Sequence, residues 1–146
     1  MMVLTVDEKL FKIYVQTCLI LVLKVIFMTI YINFERFRVM AFDNEEDAIA
    51  IQTKQKSDEG VERIKRAFLN DVQNIPLFFI VGYLYILTNP HEQTTKQLFM
   101  LYAISRIAYT VVYAVFVIPQ PARLLSFMMS FGILLYLTVR CLQFYC

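Results

Sequence analysis

Four stretches of the 146-residue chain are long and apolar enough to cross a bilayer, and this limits the fold more than any other feature. They cover roughly residues 10–34, 67–88, 98–118 and 124–145. A bilayer core of about 30 Å requires about 20 helical residues, and a spanning segment must satisfy its own backbone hydrogen bonds, so each stretch is predicted to be a helix. The sequence therefore predicts an all-α membrane protein, a bundle of four transmembrane helices in a single domain over residues 1–146.

Charged residues are concentrated between the first two stretches. Residues 35–66 hold fifteen of the 26 charged side chains, although 59% of the chain is hydrophobic and only 18% is charged. A soluble domain is about 45–50% apolar and about 25% charged, and a chain of this length could not bury so much apolar surface. The composition excludes a soluble globule, a coiled coil and a disordered chain, and no basic patch points to nucleic acid.

The distribution of Lys and Arg predicts the orientation of the bundle. Eight of these residues lie on the side of the long link 35–62, against four on the opposite side. The bias predicts that this link is cytosolic and that both termini lie on the far side. Short turn signals at 89–90 and 119–121 predict that the last three helices are antiparallel neighbours.

Three charged side chains lie well inside the predicted spans, namely Lys24, Asp71 and Arg106. Each costs about 2.5–3.5 kcal/mol in the bilayer, so each must face protein or water. Asp71 and Arg106 are on helices expected to be adjacent, and we predict that they form a structural ion pair. Lys24 has no obvious partner in the sequence, so it is expected to reach toward the interface or to contact a neighbouring subunit. The cysteines show no metal-ligand spacing.

Polar side chains also form two stripes at helical spacing, which continue from the predicted cytosolic surface into the bilayer. Residues three and four positions apart share one face of a helix. The stripes consist of Arg63, Arg66, Asn70 and Gln73 on the second helix and of Arg106, Tyr109 and Tyr113 on the third. Together with the residues that flank the first and fourth helices, they predict a pocket near the cytosolic boundary. The residues expected to converge there are Arg36, Arg66, Tyr113 and Arg123.

Such a pocket suits a small ligand with carboxylates and peptide groups, because guanidinium forks bind carboxylates and amides pair with amides. The surrounding spans would supply an apolar wall for a lipophilic second ligand. A simpler interpretation remains open at this point. Arg63 and Lys65 are then ordinary flanking charges, and Asn70 and Gln73 make hydrogen bonds between helices.

Four motifs resemble the membrane-associated eicosanoid and glutathione metabolism family. They are residues 41–47, 61–71, 106–113 and 119–127, and the resemblance covers about residues 10–145 in the right order. Within that family, the patterns Leu-Asn-Asp and Pro-Gln-Pro-x-Arg-x-Leu-Ser-Phe look most like the type-1 microsomal glutathione transferases. The resemblance implies a four-helix protomer in a homotrimer, with glutathione bound between subunits near the cytosolic face. It also implies the endoplasmic reticulum membrane as the location, with the outer mitochondrial membrane as a second one.

The implied activity is conjugation of glutathione, as co-substrate, to lipophilic electrophiles, together with reduction of lipid hydroperoxides. Arg123 would be the catalytic residue, placed beside the glutathione sulfur to stabilise its thiolate, and no metal would be needed. The resemblance gives Asp71 and Arg106 as a structural pair. The residues expected to bind glutathione are Arg36, Arg66, Asn70, Gln73, Tyr109, Tyr113 and Arg123.

The chain departs from the family pattern at several of these positions. Gln73 replaces a usual Glu, Tyr109 and Phe68 each replace a usual His, and the segment between Tyr113 and Arg123 is one residue longer. Two other functions therefore stay open. One is a glutathione-dependent isomerase of the prostaglandin E synthase type, and the other is a non-catalytic scaffold that binds lipid.

Overall fold

The structure, a computed structural model, describes residues 6–42, 44–115 and 121–146, except for the side chains of Val115 and Arg123. In this part of the chain the secondary structure is helical, which agrees with the predicted all-helical fold. Four helices are long and apolar enough to cross a membrane, and the third of these four continues into a π-helical segment. The elements are α1 (Glu8–Val39), α2 (Glu45–Ala50), α3 (Glu59–Leu87), α4 (Glu92–Thr110), a π-helical segment (Val111–Val115) and α5 (Ala122–Tyr145).

Two helices extend beyond the predicted apolar stretches at the same end of the bundle. α1 ends at Val39, because Met40 takes a left-handed φ of 50°. α3 begins at Glu59, where the Asp58 carboxylate accepts hydrogen bonds from two backbone N–H groups of the first turn. Such an N-cap stabilises a helix by about 1 kcal/mol. We call the end where α1 stops and α3 starts the charged end of the bundle.

The polar link at the charged end is consequently shorter than predicted. It covers residues 40–58 rather than 35–62, and the short helix α2 lies inside it. An i,i+3 ion pair supports the added first turns of α3, since Lys65 Nζ lies 2.6 Å from Glu62 Oε1. Hydropathy detects only the apolar part of a helix, whereas caps and charge pairs extend the helix into the polar region.

The four long helices pack into one bundle. α3 and α4 lie between α1 and α5, and each outer helix packs against both inner ones. The larger apolar cluster is centred on the ring of Phe78, whose centroid is 5.0 Å from that of Phe99 and 4.3 Å from that of Tyr102. A smaller cluster lies nearer the charged end. Its buried members are Met28, Ile64, Ala67 and Ala114.

Large apolar side chains cover the outside of the bundle as well as its core. Leu23 on α1, Ile80 on α3 and Leu125 on α5 expose 65%, 62% and 63% of their surface. Soluble monomers rarely expose contiguous apolar patches larger than a few hundred Å². The exterior therefore matches a hydrocarbon environment or the surface of another subunit.

Candidate functional site

A buried layer of charged side chains separates the two apolar clusters. On each of three helices, one charged residue lies between a residue of the larger cluster and a residue of the smaller one. The triplets are Leu21, Lys24 and Met28 on α1, Ile75, Asp71 and Ala67 on α3, and Ala103, Arg106 and Ala114 on α4 and its π-helical extension. We call Lys24, Asp71 and Arg106 the charge layer.

Asp71 is the anion of the charge layer and pairs with two cations. Arg106 Nη2 lies 2.5 Å from Asp71 Oδ1, and Lys24 Nζ forms an ion pair with Oδ2. Thr110 Oγ1 donates to Oδ2 at 3.5 Å. The side chains of Asp71 and Arg106 are 0% exposed and that of Lys24 is 7% exposed. With two cations on one carboxylate, the layer carries a formal charge of +1.

The pairing of Lys24 corrects the expectation from the sequence. Lys24 neither reaches toward the interface nor needs a neighbouring subunit, because it contacts Asp71 inside the same protomer. One signal was present in the sequence, since Asp71 is the only acidic residue in the four predicted spans. Any cation buried in those spans must therefore share its carboxylate.

Arg106 connects the charge layer to the predicted binding residues. Its Nη2 donates to Asn70 Oδ1 at 2.6 Å and its Nη1 donates to Ser130 Oγ at 3.4 Å. Its Cζ lies 5.3 Å from the ring centroid of Tyr109, a cation–π contact. Its Nε is buried without a hydrogen-bond partner among the residues that the structure describes. One guanidinium thus contacts α3, α5 and its own helix.

Two tyrosines continue from Arg106 toward the charged end. The rings of Tyr109 and Tyr113 stack with centroids 5.5 Å apart and an interplanar angle of 15°. Tyr113 lies in the π-helical segment, and its hydroxyl accepts a hydrogen bond of 3.4 Å from Arg66 Nε. The structure therefore brings two of the predicted glutathione ligands together across α3 and the end of α4.

Arg36 lies farther out, in the last turn of α1. Its Nη2 is 3.9 Å from Asp47 Oδ2, and its Cζ is 5.9 Å from the ring centroid of Phe42. Its Nε is buried without a hydrogen-bond partner in the described part of the chain. A pocket of about 200 Å³ opens beside it, lined also by Asn33 and Phe37. The guanidinium is thus held near a cavity and keeps part of its donor capacity unused.

The predicted ligands lie at different heights relative to the charge layer. Most lie toward the charged end, whereas Gln73 lies about 3 Å past the layer along α3. With a helical rise of about 1.5 Å per residue, Arg66 is about 8 Å, Tyr113 about 10 Å and Arg36 about 18 Å from it along their helices. These three residues therefore extend over about 10 Å, which is close to the length of an extended tripeptide. The full set, from Gln73 to Arg36, extends over about 21 Å.

The described ligands are at least partly exposed on the outside of the bundle. Arg66 and Gln73 are exposed, and Arg36, Asn70, Tyr109 and Tyr113 are half-buried. Gln73 follows Arg66 by two helical turns on the same face of α3. We call Arg66, Asn70, Gln73 and Tyr113 the outer strip.

Part of the predicted site lies outside the described residues. The described residues do not include the side chain of Arg123, which is the proposed catalytic group. They also do not include residues 116–120, which contain most of the Pro-Gln-Pro motif. The backbone of Arg123 belongs to the first turn of α5, a helix that contacts the π-helical segment. Within the described ranges, no cluster of three or more His, Cys, Asp or Glu side chains could hold a metal ion.

Four membrane-spanning helices around a buried charge layer define an integral membrane protein. Comparison with known proteins identifies its family. Residues 14–143 match the model of the MAPEG family, and the chain belongs to that family.

Several curated proteins of similar length are related to this chain. Microsomal glutathione S-transferase 1 of Homo sapiens is 33% identical over 143 residues, which are 94% of this chain and 92% of that protein. The Sus scrofa protein of the same name is 33% identical over 142 residues, 93% of this chain and 91% of that protein. Prostaglandin E synthase of Homo sapiens is 34% identical over 96 residues, 64% of this chain and 63% of that protein. The relationship to the transferases therefore covers more of both chains.

Proposed function

We propose that the protein is a membrane-bound transferase that conjugates glutathione to lipophilic electrophiles. The observation that carries the proposal is the outer strip, a row of donor groups on the lateral surface of a bundle whose exterior is mostly apolar. The transferases named above, which match almost the whole chain, support the same function.

The donor groups suit the functional groups of glutathione. The guanidinium groups of Arg36 and Arg66 would bind its two carboxylates through charge-assisted hydrogen bonds. The amides of Asn70 and Gln73 would pair with its peptide groups. Arg66 and Gln73 are about 10 Å apart along α3, a distance that fits one tripeptide in an extended conformation.

The exposure of Gln73 supports an assembly in which another subunit covers the strip. Gln73 lies at the midpoint of α3 (Glu59–Leu87), and its side chain is exposed in the protomer. Polar side chains at this depth in a membrane face other helices or water rather than lipid. We infer a homotrimer with glutathione between subunits, the charged end toward the cytosol, and the endoplasmic reticulum as the principal membrane. The outer mitochondrial membrane would be a second location.

The chemistry requires a thiolate, which belongs to glutathione and not to the protein. A free thiol with a pKa near 8.5 is only a few per cent ionised at neutral pH. Arg123 beside the sulfur would favour the anion, with about 1.4 kcal/mol for each unit by which the thiol pKa falls. The Tyr113 hydroxyl would donate a hydrogen bond to the same sulfur. The thiolate attacks the electrophilic carbon, a C–S bond forms, and the leaving group departs with the electron pair of the broken bond.

The same thiolate would support the reduction of lipid hydroperoxides. Attack on the peroxide oxygen breaks the O–O bond and gives the lipid alcohol and an oxidised sulfur, and a second glutathione then forms the disulfide and releases water. Two thiols are oxidised for each hydroperoxide reduced, so no metal or flavin is required.

Turnover of a chloronitrobenzene acceptor by purified protein in detergent tests the proposal. We expect wild-type protein to release chloride and to show a thiolate absorbance band when glutathione is added. Arg123→Ala should lower kcat by up to about tenfold for each unit by which the thiol pKa rises, because the thiolate fraction falls by that much when the thiol is mostly protonated. Arg140→Ala is the matched control, since Arg140 is an exposed residue near the opposite end of α5.

Three outcomes would contradict the proposal in different ways. Unchanged turnover after Arg123→Ala removes that residue from its role. Absence of glutathione binding in calorimetry favours the lipid-binding scaffold. Conversion of a prostaglandin endoperoxide with no conjugation of the chloronitrobenzene favours the isomerase, to which the prostaglandin E synthase similarity points.

A further inference from the structure

A lateral groove of about 250 Å³ lies between α1 and α4, and its lining residues belong neither to the outer strip nor to the charge layer. The two helices run parallel, since both begin at the end opposite the charged end, and Lys9 Nζ lies 3.7 Å from Glu92 Oε2 between their first turns. The lining begins at Lys96, one turn inside α4, and ends at Ile107, the residue after Arg106. The groove therefore reaches from near the start of both helices to the level of the charge layer.

The length of the groove matches one leaflet of a bilayer. Lys96 and Ile107 are eleven residues apart, which is about 16 Å along a helix. A hydrocarbon core of about 30 Å gives each leaflet about 15 Å for its acyl chains. The walls along this length are aliphatic, with Ile20 on α1 and Met100 and Ile104 on α4, and these three side chains are exposed in the protomer. One acyl chain of a lipid therefore fits along the groove.

Two cations lie at the outer end of the groove. Lys96 lines it, and Lys12 lies on α1 one turn before Gln16, which lines it as well. Both lysine side chains are exposed, and in the described ranges neither has a carboxylate within ion-pair distance, while the nearby Glu92 pairs with Lys9. Basic pockets between transmembrane helices bind anionic lipid head groups, and Lys is a common ligand of phosphate.

Gln16 gives the groove a second polar level. It lies one turn deeper than Lys12, inside the first apolar stretch, and its side chain is exposed without a hydrogen bond to any residue that the structure describes. An amide without a partner in hydrocarbon is costly. In a phospholipid the ester carbonyls lie directly below the phosphate, where the Gln16 amide can donate to one of them. The order along the groove is thus cation, amide and aliphatic wall, which is the order of phosphate, ester and acyl chain.

We propose that this groove binds one phospholipid with a negatively charged head group. Lys12 and Lys96 bind the phosphate, Gln16 donates to an ester carbonyl, and one acyl chain lies between α1 and α4 as far as the charge layer. The site requires neither glutathione nor the outer strip, so it is tested without measuring turnover.

Native mass spectrometry of the purified protein in detergent tests the head-group end. The protein is titrated with phosphatidylglycerol, and the dissociation constant follows from the fraction of protomers that retain one lipid. We expect Lys96→Gln to raise this constant about fivefold, the effect of one lysine at a charged membrane surface. Lys12→Gln should act in the same direction. Phosphatidylcholine, which has the phosphate but no net charge, should bind wild type more weakly than phosphatidylglycerol does.

Two further variants test the deeper levels of the groove. Gln16→Leu should raise the dissociation constant roughly three- to tenfold, the range for one hydrogen bond. Ile104→Trp fills the acyl part and should lower lipid retention at least as much. Arg140→Gln and Ile80→Trp are the matched controls. The first removes an exposed cation near the same end of the bundle, the second adds the same ring at an exposed position on α3, and both should leave the constant unchanged.

Each other occupant of the groove gives its own result. Equal binding of phosphatidylglycerol by wild type and Lys96→Gln, or equal binding of phosphatidylcholine and phosphatidylglycerol by wild type, overturns the proposal. If oleate displaces phosphatidylglycerol at equal concentration and Gln16→Leu has no effect, the groove binds a fatty acid and the phospholipid assignment is wrong. If Ile104→Trp changes the mass of the assembly and not the lipid retention, the groove is a contact between subunits.

Discussion

The charge layer and the outer strip are built from neighbouring residues, yet one protomer satisfies them to different degrees. In the layer, both cations reach Asp71 and all three side chains are shielded from solvent. In the strip, Arg66 and Gln73 are exposed, and the contact from Arg66 Nε to the Tyr113 hydroxyl is 3.4 Å, long for a hydrogen bond. We interpret the layer as a part of the folded protomer and the strip as a surface that a ligand or a second subunit completes.

The two regions meet at a single nitrogen atom. Nη2 of Arg106 donates both to Asp71, in the layer, and to Asn70, in the strip, although these residues are adjacent in the chain. A change in the layer can therefore alter the strip without any direct contact between the altered side chain and a ligand. Substitutions that affect stability should accordingly be separable from those that affect binding.

The largest effect on stability is expected from the loss of the anion. Asp71→Asn would leave two buried cations without a charged partner, and breaking a buried pair in this way costs about 3–5 kcal/mol. Denaturation of the purified protein in mixed micelles measures the free energy of unfolding. Asp47→Asn is the control, because that carboxylate is exposed and its ion pair with Arg36 is long, at 3.9 Å. A free energy of unfolding equal to wild type after Asp71→Asn would show that the layer does not stabilise the protomer.

Loss of Arg106 should be less damaging than loss of Asp71. Arg106→Met leaves Lys24 to neutralise the carboxylate, so the buried charge keeps a partner. The hydrogen bonds of the guanidinium to Asp71, Asn70 and Ser130 are lost, and we expect a cost of about 1–3 kcal/mol. The same denaturation measurement applies. Equal destabilisation by Arg106→Met and Asp71→Asn would mean that Lys24 does not compensate the charge of Asp71.

In the outer strip we expect a change in binding at almost constant stability. Tyr113→Phe removes the acceptor of Arg66 and a donor to the glutathione sulfur, so the KM for glutathione should rise about tenfold while the melting temperature stays near that of wild type. Tyr145→Phe is the control, because that hydroxyl donates to the Leu84 carbonyl at the other end of the bundle. Strong destabilisation by Tyr113→Phe would show that this tyrosine stabilises the fold, as the charge layer does, and contradict its assignment to binding.

The sequence predicted the main features of the fold because membrane spans have few alternatives. Long apolar stretches must be helical, and one acidic residue within them must have a cationic partner, so the contact between Asp71 and Arg106 could be expected. For Lys24 the sequence offered Asp71 as the only acidic partner in the spans. The contact itself could not be derived, since helical spacing gives the face of a residue but not the separation of two helices. The same limit applies to Asn70, which the stripe pattern groups with Arg66 and the structure bonds to Arg106.

The ends of the helices were harder to predict than their centres. The link at the charged end was too long in the sequence-based prediction, because capping by Asp58 and the pair between Glu62 and Lys65 stabilise polar turns that hydropathy does not detect. The placement of Arg36 beside α2 depends on that link, so its contact with Asp47 could not be predicted either.

The smallest expected effect is a gain of affinity at the exposed end of the strip. Gln73→Glu changes an amide to a carboxylate of the same shape, which would form an ion pair with the amino group of glutathione. A partly exposed pair contributes at most about 1 kcal/mol, so the dissociation constant should fall by about three- to fivefold and the gain should shrink at high salt. Gln97→Glu, an exposed site on α4, is the control.

An analogue of glutathione without the amino group should bind the wild-type protein and Gln73→Glu equally, because only an ammonium can use the new charge. If the analogue gains as much as glutathione does, the carboxylate acts on the assembly of subunits and not on the ligand, and the strip at Gln73 belongs to an interface.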